Sequence, residues 1–407
     1  MELFENWSET KQALLSGLPE QKKAILAPLL ENQKKYLIET AAQGVTAAGS
    51  IGNFQKILIP MIRRIIPGTI ASELVGVQPM SGPVSLAYSL RFLFSQALST
   101  GNSLTDIAAG NEVFGNNSKT RRFYSGGTFA DGSGLLDQPD SVATGLAATT
   151  SEFEAFGGRQ LQLEILKQTV TAGSRKIQAK WSIEAMQDLS SQHGLDLESE
   201  ITAALSSEVV SDIDNEIITD LQVLAGTVET FDMASTNFTG VPHYVGDRFA
   251  VLGVLINKVA NEIARKTRRG AANWVVVSPI VASVLQSASK SVFAPAVQGS
   301  FEGPNNTKLI GTLNGAIKVY TYIYEDQGTE PIVMGYKGGN GEIDTGYFYC
   351  PYIPLMSSNV VIDPATYNPQ ISLMTRYGKA TFVDTTTSLG NSADYYGRIN
   401  VANLSFI

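Results

Sequence analysis

A chain of 407 residues whose 38 Asp and Glu outnumber its 30 Lys and Arg carries a formal charge of −8, the wrong balance for a protein that grips nucleic-acid phosphates. Its one cysteine, Cys350, excludes an intrachain disulfide. No run approaches the roughly 18 apolar residues of a membrane helix, and the start, Met1-Glu2-Leu3-Phe4-Glu5, lacks the basic and apolar regions of a signal peptide, so folding in a reducing cytoplasm is expected.

Residues 1–43 read as two amphipathic helices, with Trp7, Leu14, Leu15, Ile25, Leu29, Leu30 and Leu37 among the apolar positions and Pro19 at the second start. The glycine-containing stretch 43–53 predicts a hinge, so the N-terminus is expected to be an arm tethered loosely to the body. Pro60 and Pro67 limit any helix between them to one or two turns. Residues 84–94 alternate as a strand, with Val84, Leu86, Tyr88, Leu90 and Phe92 on one face. Residues 97–158 are rich in Gly, Ser, Thr, Asn and Asp and read as a projecting loop. Residues 160–183 alternate again as a return strand interrupted near Gly173. Paired with 84–94 they make a two-stranded ribbon, which is marginal in water and must lie on something else, most simply a neighbouring subunit.

The clearest element is a helix over about 196–224. Ile201, Leu205, Val209, Ile213, Ile217 and Leu221 recur every four residues, a slanted stripe on a 3.6-residue helix, and Asp196 suits its N-cap. From 247 the pattern turns α/β. A helix to Arg269 precedes the buried strand Trp274–Val277, Ser278-Pro279 opens another helix, and Asn314-Gly315 marks a hairpin. Residues 331–337 add a strand, and 346–356 and 370–407 supply short strands and extended segments.

Little here carries chemistry. His193 and His243 have no ligand-spaced partner, and no glycine cluster has a nucleotide-binding spacing. Cys350 sits in an apolar run and reads as a buried, inert thiol. Arg265, Lys266, Arg268 and Arg269 form the one dense basic cluster. It reads either as an ordinary helix C-terminus or as an ion-pairing patch between subunits, opposed by Asp212, Asp214 and Glu216 of a neighbour. No catalytic residue, cofactor or metal is expected, which favours a structural role. The 17% of charged residues, below the roughly 25% of ordinary soluble domains, fits either a surface covered by neighbours or a monomer with long neutral loops.

Several phrases in family order resemble the major head protein of T-even-type phages. They include Ile59-Pro60-Met61-Ile62-Arg63-Arg64-Ile65-Ile66-Pro67, Gly76-Val77-Gln78-Pro79-Met80, Ser174-Arg175-Lys176-Ile177-Gln178-Ala179-Lys180-Trp181, Phe348-Tyr349-Cys350-Pro351-Tyr352-Ile353-Pro354 and Thr375-Arg376-Tyr377-Gly378. The resemblance implies the α+β Hong Kong 97 capsid fold. Its parts would be an N-terminal arm (1–53), a first peripheral segment (54–83), an extended loop (84–183), a peripheral domain with a long spine helix (184–240), an axial domain (241–345) and return segments (346–407). It implies a non-enzymatic major capsid protein that self-assembles into hexamers and pentamers of an icosahedral head. That head would enclose viral double-stranded DNA without sequence-specific binding and would form in the host cytoplasm. Implied partners are other copies of the chain, a portal protein at one vertex, a scaffold, a prohead protease and decoration or cement proteins. An encapsulin-like nanocompartment shell shares the fold and is the alternative. The domain that some family members insert into the extended loop is expected to be absent, because 97–158 is short. The family's protease cuts after Glu in a Leu/Ile-x-Glu context, which makes Glu39 the candidate cleavage site; Thr40 departs from the small residue that usually follows the cut, so a permanent clasp is the favoured reading of the arm.

Overall fold

The computed structural model of the chain describes residues 7–42, 69–95, 161–194, 196–233, 245–267, 269–287, 293–295, 309–322, 330–338, 345–358, 360–382 and 392–404. The first elements are helices α1 (Trp7–Leu15) and α2 (Glu20–Ala42). They do not hang loosely. Trp7, Leu26 and Leu30 pack into one core with Trp181, Leu205, Leu355, Ile371 and Leu373. The Asn32 amide donates to the carbonyls of Met80, at 2.8 Å, and Tyr352, at 3.2 Å. The expected loose tether is therefore corrected: the apolar positions were readable, but their partners lie more than 150 residues away. The hinge at 43–53, the segment between Pro60 and Pro67 and the loop 97–158 fall outside the described residues.

After the short helix α3 (Ala71–Leu74) and strand β1 (Gly76–Val77), strand β2 (Val84–Phe94) pairs antiparallel with β3 (Leu161–Thr171) over eleven rungs. This is the expected ribbon. One residue, Ala172, separates β3 from β4 (Gly173–Lys180). Helix α4 (Ile183–His193) follows, and then α5 (Leu197–Leu224), capped by the Asp196 carboxylate on the Glu198 N–H. The stripe of fours is buried as expected: Leu205, Val209, Ile213, Ile217 and Leu221 all face inward.

Strand β5 (Thr227–Asp232) leads to α6 (Val245–Thr267), β6 (Trp274–Val277), α7 (Pro279–Ser287), β7 (Phe293–Pro295), β8 (Leu309–Leu313), β9 (Ile317–Thr321) and β10 (Glu330–Gly335). Then come β11 (Tyr347–Ser357), β12 (Val361–Ile362), β13 (Pro369–Thr381), a 3-10 turn (Ser392–Tyr395) and β14 (Tyr396–Ala402). Among the described residues one sheet runs β5-β14-β10-β6-β9-β8-β7. Its central strands are buried on both faces. Val275, Val277, Val319, Ile332 and Ile399 pack against Leu252, Ile256, Val259 and Ile263 of α6. The alternate residues Trp274, Val276, Tyr320 and Tyr396 pack with Ile213, Ile217 and Leu221 of α5. That alternation explains why Trp274–Val277 reads as an unbroken apolar run.

The second sheet runs β1-β11-β13-β12, with β4 also on β13. Its central strands are long, where the sequence predicts short ones. Pro351, Pro354 and Gly378 punctuate them, and two register shifts in β11 absorb the prolines. Helix α5 packs on both sheets, since Tyr347, Tyr349 and Tyr377 of the second sheet join the same core. The architecture is α+β, as expected.

Candidate functional site

The ribbon carries the most exposed apolar surface among the described residues. Val84, Leu86, Tyr88, Leu161, Leu163 and Ile165 are each between 40% and 57% exposed. Leu161, Leu163 and Ile165 stand opposite Phe94, Phe92 and Leu90 in register, so period-two alternation puts all six exposed residues on one face. Isolated apolar residues on a surface are ordinary; a contiguous ladder of six marks a contact surface. The other face is seated. Ala87 and Val170 are buried against Phe348, Cys350 and Ala380. Gly378 allows that seating, because a Cβ there would come within 2.5 Å of Val170 Cγ1 and 2.9 Å of the Thr171 carbonyl.

The root of the ribbon is fixed by charge. Asp212, Glu216 and Asp220 stand four apart on α5, one above the other. Arg175 of β4 pairs with Asp212 at 2.9 Å and also with Glu216. Lys379 of β13 pairs with Glu216 at 2.8 Å and Asp220 at 2.6 Å. The Tyr377 hydroxyl donates to Glu216, and that of Tyr347 to Asp220 at 2.8 Å. Burial alone would raise the Glu216 carboxyl, but the bonds from Lys379 and Tyr377 and the charge of Arg175 outweigh it and hold it below the usual range. The network therefore loosens as acid protonates Glu216.

The residues singled out in the sequence scatter around this site. Asp212 and Glu216 pair within their own chain. Asp214 points the other way: it is 1% exposed, so it is a core group and not one offered to a neighbour. One carboxylate oxygen accepts the Ile70 N–H at 3.0 Å, and the other has no partner. Burial pushes its carboxyl well above the usual range, only partly offset by Ile70. In the basic cluster, Arg265 meets Glu262 one turn back at 3.4 Å, Lys266 donates to Thr227 Oγ1 at 2.7 Å, and Arg269 lies 5.9 Å above the Tyr395 ring. The cluster thus turns partly onto its own chain. Arg268 lies outside the described residues, as does His243. His193 ends α4. Cys350 is buried, and burial pushes its thiol up to about 12. Glu39 lies in the last turn of α2.

Arg175, Lys379 and Asp220 were missed in the sequence. The four-residue spacing of the α5 acids was the available signal; nothing local pointed to their cations. Among the described residues no group of three His, Cys, Asp or Glu is placed to hold a metal, and no helix is long and apolar enough to cross a membrane.

Comparison with known proteins gives one consistent result. The family model described as Major capsid protein Gp23 matches residues 51–401. The major capsid protein of Vibrio phage KVP40 is 29% identical, over 97% of this chain and 96% of that protein. The alignment runs over 505 positions, so the Vibrio phage protein has residues without a counterpart here. The major capsid protein of Enterobacteria phage T6 is 28% identical, over 93% of this chain and 94% of that protein. A solved structure titled as the capsid of Myoviridae Phage XM1 is similar at 10% identity and a TM-score of 0.43, covering 82% of this chain and 90% of that one.

Proposed function

Because the chain belongs to the Gp23 major capsid protein family, we propose that it closes into hexamers and pentamers of an icosahedral head around double-stranded DNA. It is a structural capsid component, and its family is not an enzyme family. Its α+β architecture is that of the Hong Kong 97 capsid fold. Within it we assign residues 1–53 to the arm, 84–183 to the extended loop, 184–240 to the spine-helix region of the peripheral domain and 241–345 to the axial domain. Residues 54–83 and 346–407 complete the body. The extended loop carries no inserted domain, a reading supported by the length of 97–158. A portal protein, a scaffold, a prohead protease and cement proteins are the expected partners, with assembly in the host cytoplasm. The encapsulin-like alternative draws no support, since the matching family is viral.

The observation that carries this reading is the apolar ladder of the ribbon. A two-stranded ribbon with one bare apolar face is not stable by itself in water, and removing that face from water on a neighbour stabilises both. The test replaces Leu163 and Ile165 together by Glu. Neither side chain is buried in its own chain, so the subunit stays folded by circular dichroism. Sedimentation then shows subunits or small oligomers where the unaltered chain gives shells. Normal shells from the double variant would overturn the reading.

A further inference from the structure

A cavity of about 710 Å³ lies between the first turns of α2, the end of α3 and the starts of β6 and β9. Its charged groups are unevenly matched. Among the described residues Lys22, Lys318 and Lys337 line it, with Glu73 as the carboxylate. Glu73 takes Lys22 at 3.4 Å and Lys318 at 3.9 Å, and it also accepts the Tyr320 hydroxyl at 3.5 Å. Lys337 is held by its backbone, whose N–H donates to Asn273 Oδ1 at 3.0 Å while its carbonyl accepts the Asn273 amide at 2.5 Å. Its ammonium donates to the Ser72 carbonyl and forms no ion pair among the described residues. An ammonium has three donors, so two of them remain for another acceptor.

One further feature points the same way. The first turn of α2 also lines the cavity, and the leading N–H groups of a helix favour an anion. Burial, reinforced by Lys22 and Lys318 and only partly offset by Glu73, brings the Lys337 ammonium down to about 8. This is the state of a lysine short of a counter-charge.

We propose that this cavity binds a small phosphate-type oxyanion, held between Lys318 and Lys337. Lys318 and Lys337 offer two ammonium groups, which a dianion such as hydrogen phosphate or one end of pyrophosphate meets with its two charges. A lone carboxylate balances only one. The volume falls within the usual range of ligand pockets, roughly 300–1,000 Å³, so a ligand carrying more than one phosphate enters.

The test is calorimetric titration of the full-length chain with sodium pyrophosphate and inorganic phosphate, at ionic strength fixed with chloride. We expect saturable binding of one ligand per chain, weakened about tenfold or more by Lys337→Gln and by Lys318→Gln. Arg265→Gln, outside the cavity, leaves it unchanged. Because the anion restores the Lys337 proton, binding near pH 8 takes up protons, and Lys337→Gln abolishes that uptake. Lys318 is 55% exposed, so its variant decides the matter if Lys337→Gln does not fold. Binding no stronger than the chloride control, or binding that both variants leave intact, would sink the proposal. Equally strong competition by acetate would also overturn it, by assigning the cavity to a carboxylate.

Discussion

Asp214 holds a carboxyl group inside a core of aliphatic and tyrosine side chains, with one of its two oxygens unbonded. Its folded-state pKa is raised, so its contribution to stability is complete below the unfolded value of about 3.9 and is lost as pH rises through the folded value. Asp214→Asn keeps an acceptor for the Ile70 N–H and removes the ionisation. The melting temperature of the variant relative to the parent should therefore be higher at about pH 8 than at about pH 4. A difference that does not change with pH would show that Asp214 does not titrate in this range. Gly315 poses a backbone question instead. It has φ +71°, next to Asn314 at +54°, the two left-handed residues of the hairpin between β8 and β9. A Cβ at Gly315 would meet nothing within 4 Å, so only backbone strain opposes a side chain. Gly315→Val should destabilise by about 1–2 kcal/mol and lower soluble yield, whereas Gly315→Asn is nearly neutral. Equal melting of the valine variant and the parent would refute the strain.

At the scale of elements, the seating of the ribbon depends on close approach at Gly378. Gly378→Val drives a side chain into Val170 and the Thr171 backbone. Hydrogen exchange should then accelerate in residues 84–94 and 161–171 while α6 keeps its protection. Unchanged exchange in the ribbon would mean that the root tolerates the extra volume. The ribbon itself was legible in the sequence, since its alternation in 84–94 and 160–183 fixes which residues share a face. Helix α5 was equally legible from its stripe and its cap. The charge network was not. Asp212, Asp214 and Glu216 form one acidic group along the sequence, but residues two apart on a helix point in different directions. Asp214 consequently falls on the core face and Asp220 joins the acidic row. Arg175 and Lys379, which meet that row, are 37 and 163 residues from their partners Asp212 and Glu216, beyond any local pattern. The length of β11 and β13 was hidden for a related reason: prolines that read as strand breaks are absorbed by register shifts.

For the whole molecule, the docked arm bears on processing. The bond after Glu39 lies in the last turn of α2, so a protease must first unwind that turn. Cutting there would leave the arm held by non-covalent contacts alone, among them the buried Leu26, Leu29 and Leu30 and the hydrogen bonds of Asn32. Intact-mass measurement on subunits from filled particles should give the full chain. A mass matching residues 40–407 would show that the arm is removed despite its seat. Deleting residues 1–42 outright uncovers Trp181, Leu205, Leu355, Ile371 and Leu373 and should lower the melting temperature by several degrees or more. The passage from β3 to β4 through the single residue Ala172 has a mechanical meaning. Anything that pulls on the ribbon puts tension on a backbone that runs straight into the second sheet, where β4 is bonded to β13 over eight rungs from Tyr377–Gly173 to Gln370–Lys180. Antiparallel hydrogen bonds lie perpendicular to the strands, so a pull along β4 loads those rungs together in shear and does not peel them one at a time. The strand that reaches outward is thereby anchored in the geometry that best resists being drawn out, and a load on one subunit's ribbon passes into its sheet.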